Sequence, residues 1–334
     1  MKNTDGVIKP TISGAKFVIR DSVVRWMAAF SWSRQLLNAV YIRVTPHQRS
    51  VFHKELSKIF RNSNIRASNG SWKVMFAGKT IRIPLTSERL WLDWDIALSV
   101  VGHNIEVKET YQALIDSSER PELFIDIGAN YGTHSLLFLV HQIKTISFEP
   151  NTSCHEYFRD LCELNQVSPC LEPVALGERK GLVALSYPQR DTWLGSTSTE
   201  VTDRLAITQE LVTEKVEQKT LDDYFSLIGH NRTLVKIDTE GNELYVLRGA
   251  ARTLEENKPR IILECWNDLH RTELFDFLNA KDYLVYRMPW HLAGKAQPLT
   301  YHQFMASSSN DFIAVPTSNR IDTDAHSVAS GVLS

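Results

Sequence analysis

A chain of 334 residues, 43% hydrophobic and 23% charged with 15 Gly and 12 Pro, has ordinary globular composition, which excludes collagen-like, mucin-like and wholly disordered architectures. Its net charge of −2 argues against a nucleic-acid binder, so no specific nucleic acid is expected as a partner. That total hides an asymmetry: between Lys16 and Lys73 eleven Lys and Arg face only Asp21 and Glu55, a stretch of +9, whereas residues 74–334 carry −12.

Residues 1–15 read as a flexible N-terminus, and residues 16–105 as a basic extension of helices and a hairpin. Apolar residues at near-helical spacing run from Val18 through Ile59, with a break at Pro46. The stretch Val23–Val44 is the most hydrophobic of the early chain, but Arg25, Arg34 and Arg43 interrupt it too often for a membrane span. The first residues also lack the apolar core of a secretory signal. Trp26, Phe30 and Trp32 beside those arginines suit a membrane interface; a Trp-rich helix packed on its own domain is the commoner arrangement. The +9 region as a whole suits an anionic partner, a weak membrane or carrier contact through residues 16–73, and equally a solvated helix face. Residues 72–85 predict a hairpin turning at Ala77-Gly78, with helical material following to Ser118.

After Pro121 strands alternate with helices. Strands are predicted at Leu123–Ile127, Thr145–Phe148, Leu171–Leu176, Leu234–Ile237, Arg260–Leu263, Tyr283–Tyr286 and Phe312–Val315. Helices are predicted at Thr133–Gln142, Ser153–Asn165, Glu243–Glu256 and His270–Ala280. Such alternation buries both sheet faces and predicts a mostly parallel, doubly wound α/β sheet. The insert at about 177–225 is too long for a bare connection. Its segments Leu182–Tyr187 and Val216–Lys219 read as added strands, and Gly195-Ser-Thr-Ser-Thr199 as a mobile loop over a site. Residues 318–334 read as a flexible tail. Cys154, Cys162, Cys170 and Cys265 show neither zinc-knuckle nor redox spacing, and read as buried thiols of a reduced, cytoplasmic protein.

The chemistry concentrates at the end of the first of these strands. Asp126 ends a buried strand, and Gly128-Ala-Asn-Tyr-Gly132 turns the chain into a helix. The glycines let backbone pass close beneath a ligand. The second strand ends at Glu149, 23 residues beyond Asp126, where a carboxylate can accept both ribose hydroxyls of a nucleoside. A dinucleotide would call for Gly-x-Gly-x-x-Gly and room for a pyrophosphate. An acid two residues before the first glycine repels a pyrophosphate and attracts an ammonium. A ligand with an amino acid at one end and adenosine at the other, S-adenosylmethionine, fits that pattern.

Four blocks carry a resemblance: Asp126-Ile-Gly-Ala-Asn-Tyr-Gly132, Phe148-Glu-Pro-Asn151, Val174-Ala-Leu-Gly177, and Lys236-Ile-Asp-Thr-Glu-Gly-Asn-Glu-Leu-Tyr-Val-Leu-Arg-Gly-Ala250. In order and spacing the chain resembles the FkbM family of S-adenosylmethionine-dependent methyltransferases from about Glu106 to Val315, which sets a domain at 106–317. The resemblance implies a class I methyltransferase (Rossmann-like) fold, a doubly wound seven-stranded sheet with one antiparallel edge strand. It implies that Asp126, Gly128, Asn130 and Gly132 line the methionine and ribose end, that Glu149 holds the ribose, that Asn151 lies beside the adenine edge, and that Ala175 sits near the base. It also implies O-methylation of a hydroxyl on a small molecule such as a sugar or polyketide, although the fold alone does not select the acceptor. A lipid-linked or carrier-bound acceptor recruited by the basic region, or a non-catalytic nucleoside-binding module, are the alternatives.

An alcohol that gains a methyl loses a proton, so a base near the acceptor assists. The strand ending at Lys236-Ile-Asp-Thr-Glu-Gly241 points toward the same crevice, which makes Asp238 the first candidate and Glu240 the second. Asp238 or Thr239 would alternatively cap the helix that follows. His134, opening the helix after the glycine turn, is a third candidate, and Glu264 at the end of the fifth strand is comparable. A metal held by Asp238 with Glu264 or Asn267 is conceivable, but the resemblance does not require one and none is expected.

Overall fold

The computed structural model describes residues 30–41, 43–45, 70–86, 88–188, 192–292, 294 and 296–319, together with Ser22 and Gln48. The loose end expected at 1–15, most of the helical arm expected over 16–65, and the tail beyond residue 319 lie outside the described residues. The chain divides into two compact units, Met1–Ile105 and Glu106–Ser334.

In the first unit, strands β1 (Gly70–Phe76) and β2 (Lys79–Leu85) pair antiparallel across the Ala77-Gly78 turn. Both turn residues have positive φ, 44° and 76°, the backbone that matches the twist of a two-residue hairpin. Alternation then sorts the side chains: Trp72, Val74, Phe76, Ile81, Ile83 and Leu85 are buried while Lys73, Arg82 and Lys79 face water. The helix Leu90–Gly102 covers the apolar face, with Trp94 edge-on to Trp72 at 4.2 Å. Asp93 is wholly buried, and its Oδ2 accepts the Thr86 N–H and hydroxyl at 2.6 and 3.0 Å. The helix Ser31–Tyr41 packs on β1.

In the second unit the helix Ile105–Ile115 leads into β3 (Leu123–Ile127), and β4 (Lys144–Phe148) and β5 (Cys170–Glu172) follow. The strand expected over 171–176 is divided. Pro173, which cannot donate to a ladder, separates β5 from β6 (Ala175–Leu176). That short strand joins β7 (Gly181–Pro188) and β8 (Leu211–Lys219) in a separate three-stranded sheet. The chain then returns through β9 (Thr233–Ile237), β10 (Arg260–Glu264), β11 (Tyr283–Arg287) and β12 (Asp311–Pro316).

The main sheet is seven-stranded, in the order β11-β12-β10-β9-β3-β4-β5. One strand, β12, is antiparallel to its neighbours; it lies at one end of the sheet, slotted between β10 and the outermost strand β11. This is the class I methyltransferase arrangement. Every residue of β3 and β9 is buried, as expected for central strands covered on both faces. The helix expected over 243–256 breaks after Arg248. At Gly249 a Cβ would lie 2.0 Å from the Gly177 carbonyl oxygen, so a passing chain occupies that space. Among the described residues no helix is long and apolar enough to cross a membrane. Cys154, Cys162 and Cys265 are buried as expected, but Cys170, at the start of edge strand β5, is exposed.

Candidate active site

The chain runs from β3 outward to β5 and comes back to β9 on the other side of β3, so the connection order reverses between β3 and β9. A crevice opens beyond the carboxyl ends of strands at such a point. Gly128 and Asp238 flank it. Gly128 has φ 81°, and a Cβ there would lie 1.8 Å from the Asp238 carbonyl oxygen. The Asp238 N–H in turn donates to Ile127 O at 3.0 Å. Asn130 (φ 47°) and Gly132 (φ 75°) are also left-handed, which aims the Asn130 N–H at Glu149.

Glu149, at the end of β4, is clamped from both sides. Its Oε2 accepts the Asn130 N–H and its Oε1 the Asn151 N–H, both at 2.7 Å. Burial outweighs these bonds and pushes its carboxyl up to about 7. Asn151 starts the next helical turn by accepting the Ser153 N–H at 3.1 Å, while its buried Nδ2 has no hydrogen-bond partner. Asn130, Gly128, Gly132, Glu149 and Asn151 therefore converge at one end of the crevice. Ala175 lies in the three-stranded sheet, paired with β8. It faces the apolar core of the small sheet with Leu185 and Val216, because Pro173 diverts it from the main sheet.

Beneath the turn lies a polar row that sequence reading caught only in part. Ser147, Asp126 and Lys236 are register partners on β4, β3 and β9, so their side chains share one face. Charged groups on wholly buried strands are costly unless paired, and these are paired. Asp126 Oδ2 accepts the Ser135 hydroxyl at 2.6 Å, and Ser135 and Ser147 hydroxyls lie 2.7 Å apart. Lys236 Nζ meets Asp238 Oδ2 at 2.9 Å. Burial works against the Lys236 ammonium, but Asp238, Asp126 and Glu264 outweigh it and hold its pKa above the ordinary lysine range. Asp126 is 0% exposed, with its pKa raised by burial against the pull of Lys236. An ammonium already stands beside it, so its field acts first on Lys236. Its Oδ1 is without a hydrogen-bond partner.

The helix Ile105–Ile115 supplies two groups that no motif pointed to. It is tied down where buried Thr110 accepts the Trp290 N–H at 2.9 Å. Lys108 is buried, and burial followed by repulsion from Lys236 lowers its pKa to about 7. The Tyr111 hydroxyl lies 3.0 Å from His134 Nδ1. Burial, reinforced by Asp126, raises that phenol well above its ordinary value, so it stays protonated beside the imidazole, and the His134 tautomer sets which group donates. His134 thus has an oriented ring at the start of the helix after the glycine turn. The available signal was a lysine on the same helical stripe as buried Tyr111 and Leu114.

Three candidate acids do come together. Carboxylate oxygens of Asp238, Glu240 and Glu264 lie within 4.8 Å of one another. Among the described residues these have the oxygen chemistry to hold a divalent cation. Burial, then Asp238, holds both Glu240 and Glu264 well above the usual carboxyl range. Asp238 differs because an ammonium touches it, which suits it to remain charged. It does not cap the following helix. The helix Glu243–Arg248 starts at Asn242 without a side-chain cap, while Glu243 Oε1 braces the preceding turn, accepting from the Thr239 N–H, the Thr239 hydroxyl and the Gly241 N–H at 2.9, 3.0 and 3.1 Å. Glu240 sits at φ 52°, a strained conformation for a non-glycine residue. The segment expected to be a mobile loop holds it there. Ser196 donates to Glu240 O at 2.7 Å and pairs with Ser186 in both directions at 3.0 Å.

Residues 126–287 match the family model of the methyltransferase FkbM domain. The chain carries an FkbM methyltransferase domain. Two solved structures are similar to it. One is the methyltransferase FkbM from Methylobacillus flagellatus KT, with 16% identity and a TM-score of 0.37 over 69% of this chain and 55% of that one. The other is a precorrin-6y C5,15-methyltransferase from Geobacter metallireducens GS-15, with 12% identity and a TM-score of 0.30 over 64% of this chain and 86% of that one. The chain thus spans about half the length of the FkbM structure it matches. No curated protein shows significant similarity. Glu149 and Asp238 both lie within the matched span, whereas Lys108 and Tyr111 precede it.

Proposed function

We propose that this methyltransferase uses S-adenosylmethionine to methylate a hydroxyl oxygen of a small molecule such as a sugar or polyketide. The observation that carries the reading is the clamp on Glu149. Each of its oxygens holds one backbone N–H at 2.7 Å and retains a second acceptor direction, which matches a pair of ribose hydroxyls. Two orphaned buried atoms fit the same ligand: Asn151 Nδ2, a donor, and Asp126 Oδ1, an acceptor. When bound, the cofactor supplies a methyl group already activated on sulfur.

The remaining work falls to this chain. Gly128, Asn130 and Gly132 shape the backbone around the ligand, and Glu149 orients it. Asp238, oriented by Lys236, takes the acceptor's proton. Glu240 and Glu264, which keep their protons, serve as hydrogen-bond donors to the acceptor, and the Tyr111 hydroxyl orients the His134 ring. Ser196 closes the neighbouring wall and limits water.

Calorimetry with S-adenosylhomocysteine tests the cofactor; no heat at millimolar ligand would dismiss both cofactor and enzyme. Asp238→Asn should lower turnover about 100-fold with product-nucleoside affinity kept. Undiminished turnover would remove Asp238 from the chemistry. A lipid-linked acceptor is the second reading, favoured by the apolar helix face described next.

A further inference from the structure

The helix Ser31–Tyr41 packs on β1 yet keeps a second apolar face in solvent. Ser33 is buried, while Trp32, Leu36 and Val40 are 54%, 57% and 54% exposed. Their i, i+4, i+8 spacing places them in one stripe along the helix, and Phe30, 48% exposed, stacks on Trp32 at 6.4 Å. Of the aromatic residues noted in this stretch, Phe30 and Trp32 are about half exposed, and Trp26 lies outside the described residues. The stripe sits inside the +9 segment of an otherwise acidic chain.

We propose that this helix face docks on an anionic phospholipid surface, Trp32, Leu36 and Val40 entering the headgroup–acyl boundary while the flanking Lys and Arg hold the lipid charge. The pairing of chemistries selects the occupant. A polynucleotide satisfies the charge but offers nothing to Leu36 and Val40. A second copy of the chain covers the apolar stripe but sets one +9 segment against another. An anionic bilayer meets both requirements at once, with the aromatic pair at the depth such rings prefer. The inference is independent of the cofactor and of the methyl acceptor.

The test is co-sedimentation of the full chain with vesicles of phosphatidylcholine alone or with about one-third phosphatidylglycerol. Binding is expected on the anionic vesicles, weakened by salt, and weak on the neutral ones. The triple variant Trp32→Ser/Leu36→Ser/Val40→Ser keeps every charge and removes the stripe; it should bind at least about tenfold more weakly with its thermal midpoint unchanged. If that variant fails to fold, Leu36→Ser alone should still lose about threefold. Absent binding by the wild type, or equal binding by a folded variant, overturns the proposal. So does a wild-type dimer in sedimentation velocity that the triple variant converts to monomer, which would assign the stripe to a second copy.

Discussion

Replacing Glu149 by Gln keeps the side chain's shape and removes its charge, and the clamp makes the consequence calculable. One oxygen becomes an NH2 group facing the N–H of Asn130 or Asn151, each now 2.7 Å from an acceptor. A ribose hydroxyl bound there loses a charged acceptor, worth about 1.5–3 kcal/mol. Affinity for S-adenosylhomocysteine at pH 8 should therefore fall roughly 10- to 150-fold. The wild type carries a second signature. With the Glu149 carboxyl at about 7, binding to the carboxylate releases a proton below that pH. Affinity should be flat above pH 7 and fall by up to about tenfold per unit below it, with heats that depend on the buffer's ionisation. The variant should lose that dependence. Its stability should not collapse. A carboxyl raised in the folded state contributes stability below its unfolded pKa, and that contribution is lost as pH rises toward 7. At pH 8 the amide escapes this penalty while forfeiting one hydrogen bond, so the two effects nearly cancel. Calorimetry at pH 6 and 8 with a melting control decides the matter. A variant affinity within about threefold of wild type at pH 8, or a pH-independent wild type, would refute the assignment of Glu149 to the ribose.

Lys236→Met should destabilise the fold by about 3 kcal/mol or more, since Asp126 and Asp238 lose their buried partner; because the Lys236 pKa is raised, this contribution persists across neutral pH and fades only in strong alkali. A melting midpoint within about 2 °C of wild type would count against it. In Gly128→Ala the new Cβ falls 1.8 Å from the Asp238 carbonyl oxygen at a φ of 81°, so soluble folded protein should be lost or the fold weakened by about 3 kcal/mol or more. A stable variant with intact ligand binding would show that the two turns do not touch. Tyr111→Phe releases His134 Nδ1 and should lower kcat severalfold without changing product-nucleoside affinity; an unchanged kcat would leave His134 outside the reaction.

Much of the molecule is legible along the chain because the relevant signals are local. Hydrophobic runs separated by helical stretches announce β3, β4, β9 and β10 within a residue of their observed bounds, since a strand buried on both faces has little freedom in its composition. The Asp126–Gly132 turn and Glu149 are readable for the same reason: left-handed backbone and a strand-end carboxylate both depend on immediate neighbours. What one-dimensional pattern cannot express is which distant groups share a charge. Lys236 becomes the partner of Asp126 only through parallel register between β3 and β9. Tyr111 reaches His134 from a distant helix that Thr110 ties to Trp290, and Pro173 separates Ala175 from the strands of the main sheet. The meeting of Asp238, Glu240 and Glu264 likewise awaited folding. Carboxyls of similar intrinsic acidity come to differ only through burial and an adjoining ammonium, which touches Asp238 and neither glutamate.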